Sequence, residues 1–210
     1  MPLTVDEITR LLTVRGSRQY GREAVSQLEH ALQCAHLAEQ AGENTHTVVA
    51  ALLHDLGHLL AAERDRQAED DQRQDDLHQF IAIPFLRGLL PDGVLEPIRM
   101  HVDAKRCLCT TELDYWDTLS PASKRSLELQ GGAMTFAQAL DFMSQPFADE
   151  ALRLRRYDDL AKVPQANTPP LQHFIEMLTR LTLGADSAVH ERVQRTACEP
   201  VFMMKNAFAA

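Results

Sequence analysis

The chain has 210 residues, 45% hydrophobic and 24% charged, with a formal net charge of −9. That length sustains one domain with a substantial core, expected to span 1–210 with its centre at about 20–183 and both termini packed on it. The acidic balance excludes a general nucleic-acid binder, because no surplus of Lys or Arg exists to displace counterions.

The chain opens on MPLTVDEITRLL, which lacks the basic region and long apolar stretch of a signal peptide. No apolar run reaches the roughly 20 residues of a membrane span, so no membrane contact and a cytoplasmic protein are the expectation. Apolar residues recur at helical spacing almost throughout, with no alternating β segment. They predict helices at about 4–14, 22–41, 45–62, 75–89, 95–110, 112–119, 135–144, 147–162 and 169–183, an all-α domain. Gly42, Gly131–Gly132 and Gly184 read as stops, and Pro84, Pro97 and Pro146 as starts or bends. The charged stretch 63–76 reads as a solvated connection, and the apolar tail 198–210 as a docked terminus. Cys34, Cys107, Cys109 and Cys198 read as reduced thiols, since a lone C-x-C is weak grounds for a metal.

Polar residues break this pattern at core-facing positions. In the second helix, Tyr20, Glu23, Gln27 and His30 form one polar stripe beside Val25, Leu28 and Leu32. In the third, VVAALLHDLGHLL sets His54, Asp55 and His58 among leucines, with Gly57 on the histidine face where something needs room. A buried, unpaired aspartate is very unfavourable, so Asp55 requires a cation or strong donors. His78 aligns with Ile81, Ala82 and Phe85; His101 with Val94 and Ile98; Asp158 with Ala151, Leu154 and Ala161. Imidazole and carboxylate at core positions of five separate helices form an inventory suited to iron, manganese or zinc. His30, His54, Asp55 and Asp158 make one ligand set, and His78 and His101 add a second metal with Asp55 as the bridge. Lys105, Arg155 and His58 are candidates for a cationic pocket, and the segment 119–132 offers Ser120, Ser123 and Ser126. By itself that segment reads as an N-cap at Ser120 followed by an ordinary helix. His36, His46, His173 and His190 read as surface residues.

The pattern H…HD…D at His30, His54–Asp55 and Asp158 resembles the metal signature of the HD-domain superfamily, an all-α fold. From Tyr20 to Lys162, and most specifically in YGREAVSQLEH, LLHDLGH, SPASKRSLELQGG and LRLRRYDDLAK, the chain resembles the mixed-valent di-iron oxygenases of that superfamily. These cleave the carbon–phosphorus bond of 1-hydroxyphosphonates and are related to myo-inositol oxygenase. The resemblance implies two iron ions, an Fe(II)/Fe(III) pair held by His30, His54, Asp55, His78, His101 and Asp158. It implies phosphonate binding by His58, Lys105, Ser123, Ser126 and Arg155, and catalytic roles for Tyr20, Glu23 and His58. Tyr20 and Glu23 would guard the open iron position, with Glu23 reading the substrate's amino end. Dioxygen would then convert a small hydroxyphosphonate, 2-amino-1-hydroxyethylphosphonate in the first instance, to phosphate and a carboxylic acid. Tyr157 stands where the family has Trp. The alternative is a binuclear phosphohydrolase acting on a nucleotide or phosphate ester, which the metal ligands alone do not separate from an oxygenase. The sequence carries no signature of an oligomeric state.

Overall fold

The computed structural model describes residues 2–20, 23–64 and 77–182. Among them the regular structure is helical, with only two isolated bridges, Gln19–Ser26 and Arg87–Leu90, and no strand. Its helices are α1 (Val5–Arg15), α2 (Gln27–Gln40), α3 (Thr45–Leu53), α4 (Leu56–Arg64), α5 (His78–Ile81) and α6 (Ile83–Leu86). They continue with α7 (Asp92–Thr111), α8 (Tyr115–Thr118), α9 (Pro121–Leu129), α10 (Phe136–Met143), α11 (Ala148–Leu160) and α12 (171–182). The long α7 packs on α11 and α3, and α2 closes the same centre against α3 and α11. Leu52, Leu53, Ile98, Leu154 and Phe174, from α3, α7, α11 and α12, are buried in a single apolar cluster. Two smaller clusters seat α10 and α11 against α7 through Met100, Cys107 and Phe142, and α8 and α9 through Leu108, Tyr115 and Leu127.

The predicted helix at 22–41 begins instead at Gln27. Ser26 is its N-cap, accepting from the Glu29 amide, while the Glu29 carboxylate accepts from the Ser26 amide at 2.7 Å. This reciprocal capping box satisfies two orphan donors and fixes the start. Tyr20 and Glu23 therefore lie in a turn before α2, tied by Tyr20 N–H to Val25 O and Glu23 N–H to Tyr20 O. The polar stripe Tyr20–Glu23–Gln27–His30 is not one helical face.

The helix predicted over 45–62 is broken at His54–Asp55. The His54 ring Nδ1 meets the Ala51 carbonyl at 2.8 Å, and the His58 amide turns back three residues to Asp55 O at 3.0 Å. The tightened turn swings Asp55 inward between α3 and α4. In place of a helix over 75–89, the described residues from 77 hold α5 and α6, entered through Leu77 in the left-handed region at φ 52°. The predicted helix over 95–110 starts one turn earlier, at Asp92, and carries Pro97 inside it; the one over 112–119 shrinks to the single turn of α8. The segment after Ser120 is the capped helix its sequence describes, α9. The readings made for 65–76, for the tail 198–210 and for His190 lie outside the described residues.

Candidate metal centre

Four imidazoles converge edge to edge in the core. His30 Nε2 lies 3.3 Å from His54 Nε2, and His78 Nε2 lies 3.0 Å from His101 Nε2. Three of these rings are fixed from behind by backbone carbonyls: His30 Nδ1 on Ala161 O at 2.8 Å, His54 Nδ1 on Ala51 O at 2.8 Å, and His101 Nδ1 on Ile98 O at 2.7 Å. A carbonyl can only accept, so each Nδ1 carries the proton and each Nε2 turns a lone pair inward, the tautomer of a metal ligand. Burial lowers His30 to about 4 and His101 well below the usual histidine range, with neighbouring histidines adding to both effects.

Asp55 stands between the two pairs. Its Oδ1 is 3.2 Å from His78 Nε2 and 3.7 Å from His101 Nε2, while its Oδ2 is 3.4 Å from His54 Nε2 and 3.7 Å from His30 Nε2. Asp158 faces the His30–His54 pair, its Oδ1 being 3.5 Å from His30 Nε2. Burial opposes the charge of both carboxylates, yet their neighbours hold both well below the usual range: the surrounding histidines, His54 first, for Asp55, and chiefly Arg155 and Lys162 for Asp158. Nevertheless Asp55 Oδ2 and Asp158 Oδ1 are buried with no hydrogen-bond partner. Ionised oxygens left so, facing imidazole lone pairs, fit cations: bonds of about 2.1 Å at tetrahedral or octahedral angles separate neighbouring ligand atoms by about 3.0–3.4 Å. The residues present therefore suit a binuclear centre in which His30, His54, Asp55 and Asp158 hold one metal, and His78, His101 and Asp55 the other.

Gly57 has a different use from the one its place beside the histidines implies. A Cβ there would lie 2.0 Å from the His78 carbonyl oxygen, so the glycine lets α4 touch the α5 backbone and brings His78 to the centre. His58, a quarter exposed, stacks on His78 with ring centroids 4.1 Å apart and reaches 3.9 Å from Asp55 Oδ1. Tyr20 reaches the centre from its turn and stacks on His30 at 3.9 Å. Burial, then the charges of Asp158 and Asp55, keep its phenol protonated. Cys34, which the sequence marks only as a reduced thiol, is buried 3.6 Å from His30 Nε2, and burial holds it as a thiol.

Beside the candidate metal ligands lies a group of cations whose bonds stay within the protein. Lys105 Nζ donates to Ser126 Oγ at 2.7 Å, and Lys162 Nζ donates to Ser123 Oγ at 2.9 Å. Burial, assisted by the charge of Arg155, lowers Lys105 to about 7. Glu23 accepts from the Ser120 hydroxyl at 2.5 Å and lies 3.8 Å from Lys162. Arg155 is buried and already paired: Nη1 lies 2.5 Å from Asp158 Oδ2, and its other edge meets Asp159. Lys162, just past the end of α11, is the cation that sequence reasoning missed; its signal was the spacing Asp158-x-x-x-Lys162, which sets both on one side of the helix predicted over 147–162. His46 is exposed and His36 and His173 are only half-buried, with His173 paired to Glu39, so all three stand apart from the centre. No helix among the described residues is long and apolar enough to cross a membrane.

Comparison with known proteins places residues 28–122 in the HD domain family. The chain is similar to the hydroxymethylphosphonate dioxygenase of Gimesia maris, 44% identical over 174 residues, covering 81% of this chain and 84% of that one. It is also similar to the glycine-betaine-forming [1-hydroxy-2-(trimethylamino)ethyl]phosphonate dioxygenase of Leisingera caerulea, 36% identical over 84% of this chain and 89% of that one. An uncharacterized protein of Acanthamoeba polyphaga mimivirus is 34% identical over 83% of this chain and 80% of its own.

Proposed function

The chain belongs to the HD-domain phosphonate oxygenases and is an oxygenase, and from that premise we propose that it uses two irons and dioxygen to break the C–P bond of a small 1-hydroxyphosphonate. Asp55 carries the reading: one of its oxygens addresses each histidine pair. When bound, the irons supply the redox chemistry that reduces dioxygen.

The protein's own groups bind and orient the substrate. Lys105 and Lys162, each resting on a serine hydroxyl, exchange that neutral acceptor for the phosphonate oxygens, a stronger charge-assisted bond. Ser123 and Ser126 are thereby freed to donate to the same group. His58, on the half-exposed side, lines the entrance to the phosphonate position. The protonated Tyr20 phenol covers the flat face of His30 and shields that ligand from water. Wild-type turnover of hydroxymethylphosphonate balances as one dioxygen consumed for one formate and one phosphate formed.

We take hydroxymethylphosphonate first among substrates, because the Glu23 charge is already compensated by Lys162 and Ser120 and so does not stand free for an ammonium. The similar Gimesia maris protein carries that substrate in its name. 2-Amino-1-hydroxyethylphosphonate is the second reading, favoured by the bare presence of an acid at Glu23, and would yield glycine. The test is phosphate release by anaerobically iron-loaded protein on admission of dioxygen, with the two phosphonates compared. The proposal expects oxygen-dependent phosphate and a higher kcat/KM for hydroxymethylphosphonate. Phosphate release without oxygen, or hydrolysis of phosphate esters with zinc or manganese bound, contradicts it.

A further inference from the structure

Arg155 is held by two adjacent carboxylates with different duties. Nη1 meets Asp158 Oδ2 at 2.5 Å, while Nε at 3.3 Å and Nη2 both meet Asp159. The opposite oxygen of Asp158 is the one that faces His30. Asp159 is in turn capped by the Tyr115 hydroxyl, which donates to it from α8. Tyr115 itself is buried in the cluster of Leu108, Leu119 and Leu127, a fixed anchor. The result is an unbroken chain, Tyr115–Asp159–Arg155–Asp158, running from an apolar anchor on α8 to the edge of the metal centre.

We propose that Asp159 and Tyr115 are positioning residues for the metal site of His30 and His54. They hold the guanidinium so that it takes one Asp158 oxygen and leaves the other aimed at the metal. A forked guanidinium–carboxylate pair is directional, so the Asp159 fork decides which way Nη1 points. Without Asp159 the guanidinium is free to swing and take both Asp158 oxygens, competing with the metal for its ligand. Partners behind metal ligands are worth about 10–100-fold in metal affinity. The inference rests on the binuclear reading of the site but not on the substrate.

The test is anaerobic titration of the metal-free protein with Fe(II) by calorimetry, alongside Mn(II) titration followed by EPR. Asp159→Asn is expected to weaken one of two metal equivalents by about 10-fold or more and leave the other unchanged. The coupled Mn(II) pair then gives way to the signal of an isolated ion. Tyr115→Phe follows in the same direction with a smaller loss, and Asp159→Glu restores part of the affinity. The control is Glu112→Gln, which breaks the pair Glu112–Arg156 bridging the end of α7 to α11 without touching Arg155. It is expected to leave both equivalents intact. The proposal is overturned if folded Asp159→Asn binds two metals as the wild type does, if both equivalents weaken together, or if Glu112→Gln does the same. Should Asp159→Asn fail to fold, Tyr115→Phe decides by the same readout. A wild type that binds two metals but releases no phosphate from a hydroxyphosphonate sinks the proposed function and leaves this test standing.

Discussion

The two halves of the site differ in what the protein leaves undone. On the histidine side, Asp55 Oδ2 and Asp158 Oδ1 are buried without a hydrogen-bond partner, and imidazole lone pairs face one another. On the cationic side, Lys105 rests on Ser126, Lys162 on Ser123, and Glu23 on Ser120. An unsatisfied buried carboxylate is costly, so the first half is complete only with cations in it. The second half is self-satisfied and exchanges partners when an anion arrives. The first therefore governs whether there is chemistry at all, and the second governs how tightly and which substrate is held.

Breaking the first half should give the largest effects. Asp55→Asn removes the carboxylate charge that both histidine pairs face and one of its two oxygens, each of which addresses one pair; metal content should fall for both ions and turnover by about 10³-fold or more, measured by metal analysis and phosphate release. Next in size is stability. Stripping the metals with a chelator should lower the melting temperature on the order of 10 °C, because saturating ligand adds roughly 4 kcal/mol at a thousandfold its Kd. Chelated and loaded protein melting together would mean that the orphan carboxylates need no ion.

Changes to the second half should leave the metals in place. Lys105→Met loses a buried charged contact worth about 1.5–3 kcal/mol, so KM for the phosphonate should rise about 10–100-fold with metal content unchanged. The pH dependence should follow from the same residue. Burial lowers Lys105 to about 7, and a lysine is charged only below its pKa. Its grip on an anion is therefore nearly full near pH 6 and weakens as pH rises through 7, with KM rising about 10-fold or more by about pH 8.5 and less in Lys105→Arg. The sign for stability is opposite. Between about 7 and the ordinary 10.5 the unfolded chain holds a proton that the folded one has released, so this residue's contribution to stability increases with pH across that window. The smallest effect belongs to Glu23→Gln, which should change kcat/KM for hydroxymethylphosphonate by less than about tenfold, since Lys162 and Ser120 already compensate the acid. A large loss confined to an amino-substituted phosphonate would reverse the order of the two substrates.

The same contrast runs through what the sequence makes legible. The candidate metal ligands stand out because an imidazole or carboxylate at an apolar helical position contradicts its surroundings, and His30, His54, Asp55, His78, His101 and Asp158 all do so. Cationic groups carry no such contradiction, because Lys and Arg at a helix end look like any solvated side chain. Lys162 went unread for that reason. The resemblance implies a phosphonate role for Arg155, but the sequence does not show that its guanidinium is paired with both of the adjacent aspartates, Asp158 and Asp159. Helical periodicity also overran real boundaries. The capping box Ser26-x-x-Glu29 was written in the chain and ends the helix before Tyr20 and Glu23 can join it. The break at His54–Asp55 had no such mark, since it arises from the His54 ring bonding back to Ala51 O in the folded core. Gly57 was seen as a need for space, but only the fold shows that the space belongs to the His78 backbone.

The central claim is that Asp55 joins two irons in one oxygen-dependent centre. The most direct measurement is iron stoichiometry with EPR of anaerobically loaded protein, partly oxidised so that one iron of each pair is ferric. Two irons per chain are expected, with the low-field-shifted signal of a coupled Fe(II)/Fe(III) pair, lost in Asp55→Asn. A single isolated ferric iron per wild-type chain, with the signal unaltered in Asp55→Asn, would contradict it.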